Sequence, residues 1–431
     1  MKKEDLLNNI KKTITEYCNE FHKFEFDPQN PIVRLHEPSF GAEEICAAIE
    51  PMLTTFVTMG KKVKQFEQQY SDLFGHKYGV MNNSGSSANL LAFAALANPK
   101  TENHLKPGDE VIVPALSWST TIWPIIQMNL VPVFVDCDPE TYNFDLKKLE
   151  AAITKKTKAI MLVHVYGNPC DMDELMAIAN KHGLQVVEDC CEAMGAEYKG
   201  KSVGTFGRVS SFSFYYSHHI TTLEGGICVT DDFELSEALR ILRAHGWSRE
   251  AVNHQKYVEK YPDIDPRFIF VNLGYNLRPT EVQAAMGMVQ LPKLAGFIDN
   301  RRKAAKYFQE HLAKYANYFD FQKETEGGKH VWFGFPLVVK KDAPFSVKDI
   351  TKYLQGNNIE TRPIIAGNMA RHPALKDYNH KIAGDLSAAD NIMKNGFAFR
   401  NHHFVSKQAC EYVLSQFNSF MQSRGLIKKV A

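Results

Sequence analysis

The chain has 431 residues, 23% charged and 44% hydrophobic, with Lys+Arg 50 against Asp+Glu 49 and a formal net charge of +1. That length allows two cores, since a single core stops growing near ~250–300 residues, and a balanced charge without a basic block excludes nucleic acid or an anionic membrane held by bulk charge. No apolar run approaches the ~18 residues that span a bilayer, and the polar start MKKEDLLNNIKK lacks a signal-peptide h-region, so a soluble cytoplasmic protein is expected.

In chain order, Leu6, Ile10, Ile14 and Phe21 recur at helical spacing ahead of a connector containing Pro28 and Pro31, which predicts a helical docking extension over residues 1–35. From about residue 77 to 231 the runs YGVMNN, DEVIVPAL, PVFVDC, AIMLVHVYG, QVVEDC, VSSFSF and GICVTDD alternate with helix-length segments. Strands separated by helices imply right-handed crossovers, hence a three-layer α/β domain with a mainly parallel sheet, assigned to residues 36–290. A strongly helical stretch from Glu281 to about Tyr318 follows, then a strand pattern HVWFGFPLVV, a helix from near Ser346 and a strand at IETRPI. This mixture predicts a smaller α+β domain over residues 291–431. The 8 cysteines are scattered in mostly apolar contexts with no C-x-x-C pair, and read as reduced core thiols.

In α/β sheets ligands collect at the carboxyl ends of the strands. After YGVMNN comes Ser84-Gly85-Ser86-Ser87-Ala88-Asn89, a small-residue turn opening a helix; taken alone it is a capped helix start, though free N–H groups there also suit a phosphate. After VIVP, Trp118 either fills core or stacks on a flat ring. Asp189 ends the apolar run QVVED, with Glu192 just beyond it, and a carboxylate so placed calls for a bound partner. The fourth segment, Ser213 to Gly226, holds the pair His218-His219. Adjacent strand residues face opposite ways and no further Cys/His cluster accompanies them, so no metal site is expected.

Read together, SGSSAN, ALSWST, EDCCEAMGA, SFYYSHHITTLEGG and GYNLRPTEVQAA resemble, in order and spacing, the sugar aminotransferase family of fold-type I vitamin B6 enzymes over roughly residues 40 to 400. The family's motif S-F-x-x-x-K-N-x-T-T-G-E-G-G carries the lysine that binds pyridoxal phosphate covalently. Here His218 stands at that position and His219 at the asparagine, and no lysine occurs between Lys201 and Lys256. An imidazole has no primary amine and forms no Schiff base, but its near-neutral pKa suits proton transfer. This exchange resembles the 3-dehydratase branch, and TMG, VPALSWSTT, YSHHI, RAHGW, GYNLRP, WFGF and RPI-x-x-GN resemble the members acting on a GDP-linked 4-keto-6-deoxymannose. A sister group holds a 2Fe–2S cluster on closely spaced cysteines; no cysteine lies between Cys228 and Cys410, so neither the cluster nor a reductase partner is expected.

The resemblance implies an aspartate aminotransferase-like large domain and a non-covalent pyridoxal or pyridoxamine phosphate. It implies L-glutamate as amino donor and loss of the C3 hydroxyl from a nucleotide-linked 4-keto-6-deoxy sugar, with His218 as acid/base. Asp189 is expected at the ring nitrogen, Trp118 on the ring face, and Gly85, Ser86, Ser87 and Ser213 at the phosphate. Asn276 would reach that phosphate from a neighbouring subunit, making a homodimer the active unit. Glu192 would hold the cofactor hydroxyl or orient His218, and His245 and Arg278 fall on the substrate side. An aminotransferase using a lysine from elsewhere, a silent sugar-nucleotide binder, and a dehydratase for another NDP-hexose or heptose are the competing readings. Borohydride reduction of the loaded protein followed by peptide mapping should yield no pyridoxyl-lysine; a stoichiometric adduct would overturn the non-covalent assignment.

Overall fold

The computed structural model describes residues 2–427. Seven strands of an eight-stranded sheet are β1 (Tyr78–Asn82), β2 (Glu110–Pro114), β3 (Val131–Val135), β4 (Thr157–Val163), β5 (Gln185–Asp189), β8 (Val209–Ser213) and β9 (Gly226–Thr230), the eighth coming from the C-terminal half, with β6 (Glu197–Tyr198) and β7 (Lys201–Ser202) forming a hairpin between β5 and β8. The later strands are β10 (Phe319–Phe321), β11 (Gly328–Lys329), β12 (Phe335–Val339), β13 (Thr361–Arg362), β14 (Lys381–Ile382) and β15 (Gly396–Phe399). In the large sheet the order is β1-β9-β8-β5-β4-β2-β3-β14, and only β9 runs against its neighbours. Alternate side chains explain the layers. Val111, Val113, Ala159 and Met161 join one core with Leu91 and Phe93, while Ile112, Ile160 and Leu162 join another with Leu175 and Ile178. Both faces of the sheet are therefore covered, which is why its strands read as continuous apolar runs.

The first five helices are α1 (Lys3–Phe21), α2 (Ala42–Thr54), α3 (Lys61–Phe74), α4 (Gly85–Leu96) and α5 (Ser119–Gln127), of which α4 and α5 line the site. The docking face of α1 differs from the expected one: Leu6, Ile10 and Phe21 are exposed and Ile14 is half-buried, whereas Cys18 is buried and Lys11 pairs with Glu50 of α2 at 2.5 Å. The helical stretch after Glu281 is also interrupted. Pro292 at the start of the 3-10 turn Leu291–Lys293 divides Glu281–Gln290 from Leu294–Leu312.

A second, four-stranded sheet, β10-β12-β15-β13, packs with the helices Leu294–Leu312, Val347–Gly356 and Lys407–Ser423 around its own core, including Phe308, Phe335, Leu354 and Phe417. In the expected strand HVWFGFPLVV only Phe335–Val339 is extended. Trp332 takes φ 49°, its N–H donates to His330 Nδ1 at 2.9 Å, and the two rings stack 3.9 Å apart, which turns the chain before the strand begins. β14 leaves this layer to pair in parallel with β3, and buried Asp136 accepts from the N–H groups of Ala388 and Ala389 at 3.0 and 2.9 Å. No helix among the described residues is long and apolar enough to cross a membrane.

The turn leaving β1 is anchored from behind by Glu67 on α3. Its carboxylate is buried and accepts from Met81 N at 2.9 Å, Arg243 Nη1 at 2.6 Å and Arg240 Nη1 at 2.9 Å. Burial pushes its pKa up, but the two guanidinium groups outweigh that and hold it below the usual carboxylate range. Removing one member of such a buried cluster leaves uncompensated charge. Glu67→Ala is accordingly expected to cost about 3–5 kcal/mol, read as a lower urea midpoint.

Candidate active site

The carboxyl ends of β1, β2, β5 and β8 converge on a cavity of about 350 Å³, closed on one side by Phe333, Arg362 and Ile365 from the C-terminal half. At its floor stands Asp189, the last residue of β5. Its Oδ2 accepts from Asn89 Nδ2 at 2.9 Å and Thr121 Oγ1 at 2.8 Å, and its Oδ1 from Cys191 N at 3.1 Å. Asn89 reaches it from the second turn of α4 and Thr121 from the first turn of α5, so three elements fix one carboxylate.

Above it, α4 begins at Gly85 with Ser84 as N-cap. Ser84 Oγ accepts from Ser87 N at 3.0 Å and lies 3.0 Å from Ser87 Oγ. Ser87 is thus tied to the cap and is not among the residues lining the cavity. The N–H groups of Gly85 and Ser86 have no helical acceptor at this end. Gly85 is required because a Cβ there would come within 2.4 Å of Ser213 Cβ, closing the space between helix terminus and strand. Ser86, Ser213 and Trp118 line the same cavity, and Trp118 is 55% exposed.

His218 is the group with the most directed geometry. Its Nδ1 lies 2.8 Å from the carbonyl oxygen of Cys191, which accepts but cannot donate, so Nδ1 carries the proton and Nε2 the lone pair. Burial pushes its pKa down to about 4, with the Cys191 carbonyl opposing, so the ring is neutral at pH 7. Phe333 meets the ring edge-on at 5.0 Å. His219 faces away: it is fully buried, tilted against Phe333 at 5.7 Å, and outside the cavity. Glu192 accepts from Tyr166 N at 3.0 Å and lies 3.9 Å from Arg362 Nη2, while Arg362 Nε donates to Tyr166 Oη at 3.3 Å. Burial, opposed by Arg362, pushes the Glu192 carboxyl up to about 7.

The sequence profile of the DegT/DnrJ/EryC1/StrS aminotransferase family matches residues 38–418. The chain belongs to that family. Among its relatives, a GDP-4-keto-6-deoxy-D-mannose 3-dehydratase from Yersinia pseudotuberculosis is 45% identical over 348 residues, covering 80% of this chain and 88% of that protein. The solved structure of the E. coli GDP-4-keto-6-deoxy-D-mannose-3-dehydratase with bound hydrated PLP superposes with a TM-score of 0.85 at 40% identity, covering 89% of this chain and 98% of that one. A further GDP-4-keto-6-deoxymannose-3-dehydratase structure, with a trapped PLP-glutamate geminal diamine, has a TM-score of 0.83 at 39% identity, covering 89% and 99%. The expected aminotransferase-like fold is thereby established.

Within this DegT/DnrJ/EryC1/StrS member the fold brings Gly85, Ser86, Trp118, Asp189, Glu192, Ser213 and His218 to one cavity. Asn276, His245 and Arg278 do not line it. Asn276 Oδ1 accepts from Arg278 Nε at 3.0 Å on the outside, beside a bridge to Ala244, and His245 packs edge-on against Trp247 at 5.3 Å. Sequence reading missed Asn89, Thr121, Arg362 and Phe333. Asn89 lies in the quoted SGSSAN turn and Arg362 opens the RPI run, but neither motif tells which side chains turn inward.

A carboxyl raised toward 7 from an ordinary value near 4.5 favours the folded protein below pH 4.5, and this contribution is lost as pH rises through 7. Glu192→Gln should therefore match the wild type at pH 4 and exceed its stability at pH 8 by on the order of 1–3 kcal/mol, compared as urea midpoints at the two pH values.

Proposed function

We propose that this chain is a pyridoxal phosphate-dependent sugar 3-dehydratase, a lyase that removes the C3 hydroxyl of GDP-4-keto-6-deoxy-D-mannose with L-glutamate as amino donor. The observation that carries the reading is His218, a neutral imidazole with its Nε2 lone pair free in the cavity, where the family's aminotransferases place an amine. The cavity fits the cofactor. Gly85 and Ser86 N–H groups and the Ser213 hydroxyl form a phosphate cradle that a side chain at Gly85 would fill. Asp189, fixed by Asn89 and Thr121, is a carboxylate for a protonated ring nitrogen, and the exposed Trp118 indole offers a stacking face.

When bound, the cofactor supplies an amino-group carrier and an electron sink beside the sugar's C4 carbon. With the cofactor bound, His218 Nε2 would be the atom that accepts a proton at the reacting carbon and hands one to the departing C3 oxygen. The Cys191 carbonyl holds the ring so that Nε2 stays the basic atom. Arg362 is placed for a carboxylate of the donor acid. Glu192, near half-protonated at neutral pH, would hold the cofactor's hydroxyl or steady His218. Hydrolysis then releases ammonia and a 4-keto-3,6-dideoxy sugar, a precursor class for colitose and for lipopolysaccharide O-antigen. Asn276 lies outside its own chain's cavity and serves the phosphate of a partner's, with His245 and Arg278 facing the partner's substrate. A homodimer working in the cytoplasm, without metal, iron–sulfur cluster or reductase, follows from this reading.

With GDP-4-keto-6-deoxymannose and L-glutamate, mass spectrometry should find the deoxygenated sugar together with 2-oxoglutarate and ammonia. His218→Asn should retain the cofactor while dehydration falls roughly 10²–10⁴-fold. His218→Lys should restore covalent, borohydride-reducible attachment and shift the product toward an aminosugar. Near-normal dehydration by His218→Asn would sink the assignment.

A further inference from the structure

Behind Phe333 lies a second, much smaller cavity of about 20 Å³, lined by His36, Ser217, Arg301, Arg362 and His402 among others. It shares Ser217, Phe333 and Arg362 with the candidate active site and so adjoins it. Its charge is unbalanced. Arg301 is 1% exposed and its hydrogen bonds, to the carbonyls of Phe333 and Asn401, both leave from Nη1, so Nε has no partner. Among the described residues no carboxylate pairs with it, and burial pushes its pKa down to about 9 with no acidic group opposing. His402 is equally buried. Its Nδ1 accepts from Phe404 N at 3.1 Å, so Nε2 carries the hydrogen, and among the described residues that atom has no acceptor. Arg400, Arg301 and His36 all act on His402 as further positive charge. Arg400, 2% exposed, feels Glu37 and Glu360 only at longer range, Glu37 being paired with Arg34 at 3.0 Å.

A buried guanidinium without a counterion and a buried N–H without an acceptor are each costly, and one small anion between them relieves both. We propose that this side cavity is a binding site for a single small anion, held by the Arg301 guanidinium and the His402 Nε2–H. The volume admits one water-sized occupant, which suits a halide ion or the end of one carboxylate group. Two sources share that chemistry: free halide, and the side-chain carboxylate of the donor acid reaching past Arg362. Only the second rests on the proposed function.

Crystals of the full-length protein with cofactor, soaked in sodium bromide without substrate, should show an anomalous bromine peak between Arg301 and His402. L-Glutamate should displace that peak if the donor's side-chain carboxylate is the occupant, while 2-aminobutyrate, which lacks it, should not. A peak unchanged by glutamate assigns the site to free halide and leaves the dehydratase reading untouched. In solution, the wild type should melt roughly 2–4 °C higher in chloride than in gluconate at equal ionic strength, and Arg301→Met should lose this difference. No bromine peak in the wild type, or one that persists in Arg301→Met, would overturn the proposal. The wild-type soak decides the matter even if the variant fails to fold.

Discussion

A buried carboxylate at the end of a central strand organises this molecule. Asp189 ends β5 between its parallel neighbours β4 and β8, and it is tolerable there because α4 and α5 each aim a polar side chain at the same oxygen while Cys191 N–H donates to the other. The same two helices present the Gly85–Ser86 terminus and the Trp118 indole. One constraint therefore sets the distance from helix-end N–H groups to carboxylate to aromatic face. Glu67 and its two arginines brace the strand from which α4 departs, so the cradle's position is inherited from the core.

Loss of the lysine changes what the remaining groups must do. A covalent link would orient a cofactor by one bond, whereas here orientation falls to dispersed contacts from four strand ends. The neutral ring of His218 and the raised carboxyl of Glu192 are pushed apart in pKa by one cause, burial, acting oppositely on a base and an acid. The two values cross, so that the Glu192 carboxyl, at about 7, lies nearer neutrality than the His218 imidazole, at about 4, which burial has moved away from the near-neutral value expected of it. Arg362 sits between them electrostatically, lowering both, and it comes from the second sheet. Chemistry at the site thus depends on how the two layers meet, a junction further fixed by β14 on the large sheet and by Asp136 at the start of the helix Ser387–Asn395.

Much of this was legible in the chain. Alternating apolar runs and helix-length spacers specify a covered, mainly parallel sheet because both signals are local. The ordered motifs locate the strand ends, and the histidine in the lysine position states the chemical departure without any coordinates. Local reading failed where long-range contact decides. The stripe Leu6, Ile10 and Phe21 on α1 was expected to dock, but α2 receives the neighbouring face with Lys11 and Cys18. The apolar text before Phe335 promised strand, yet a His330–Trp332 stack turns it.

What the sequence determined by itself was the element order, the class of chemistry and the absence of an amine at the reacting position, since these follow from residue identity and short-range periodicity. Only the tertiary structure decided that Ser87 hydrogen-bonds its own helix cap, that His218 and not His219 faces the cavity, and which imidazole nitrogen is basic. It alone brought Arg362 to Glu192 and left Arg301 without a counterion among the described residues. Each of these depends on partners far apart in the chain, such as Cys191 with His218 or Arg301 with Asn401, and on the burial that such packing imposes. Proton affinity and hydrogen-bond direction are properties of that shared environment, and no local stretch of sequence contains them.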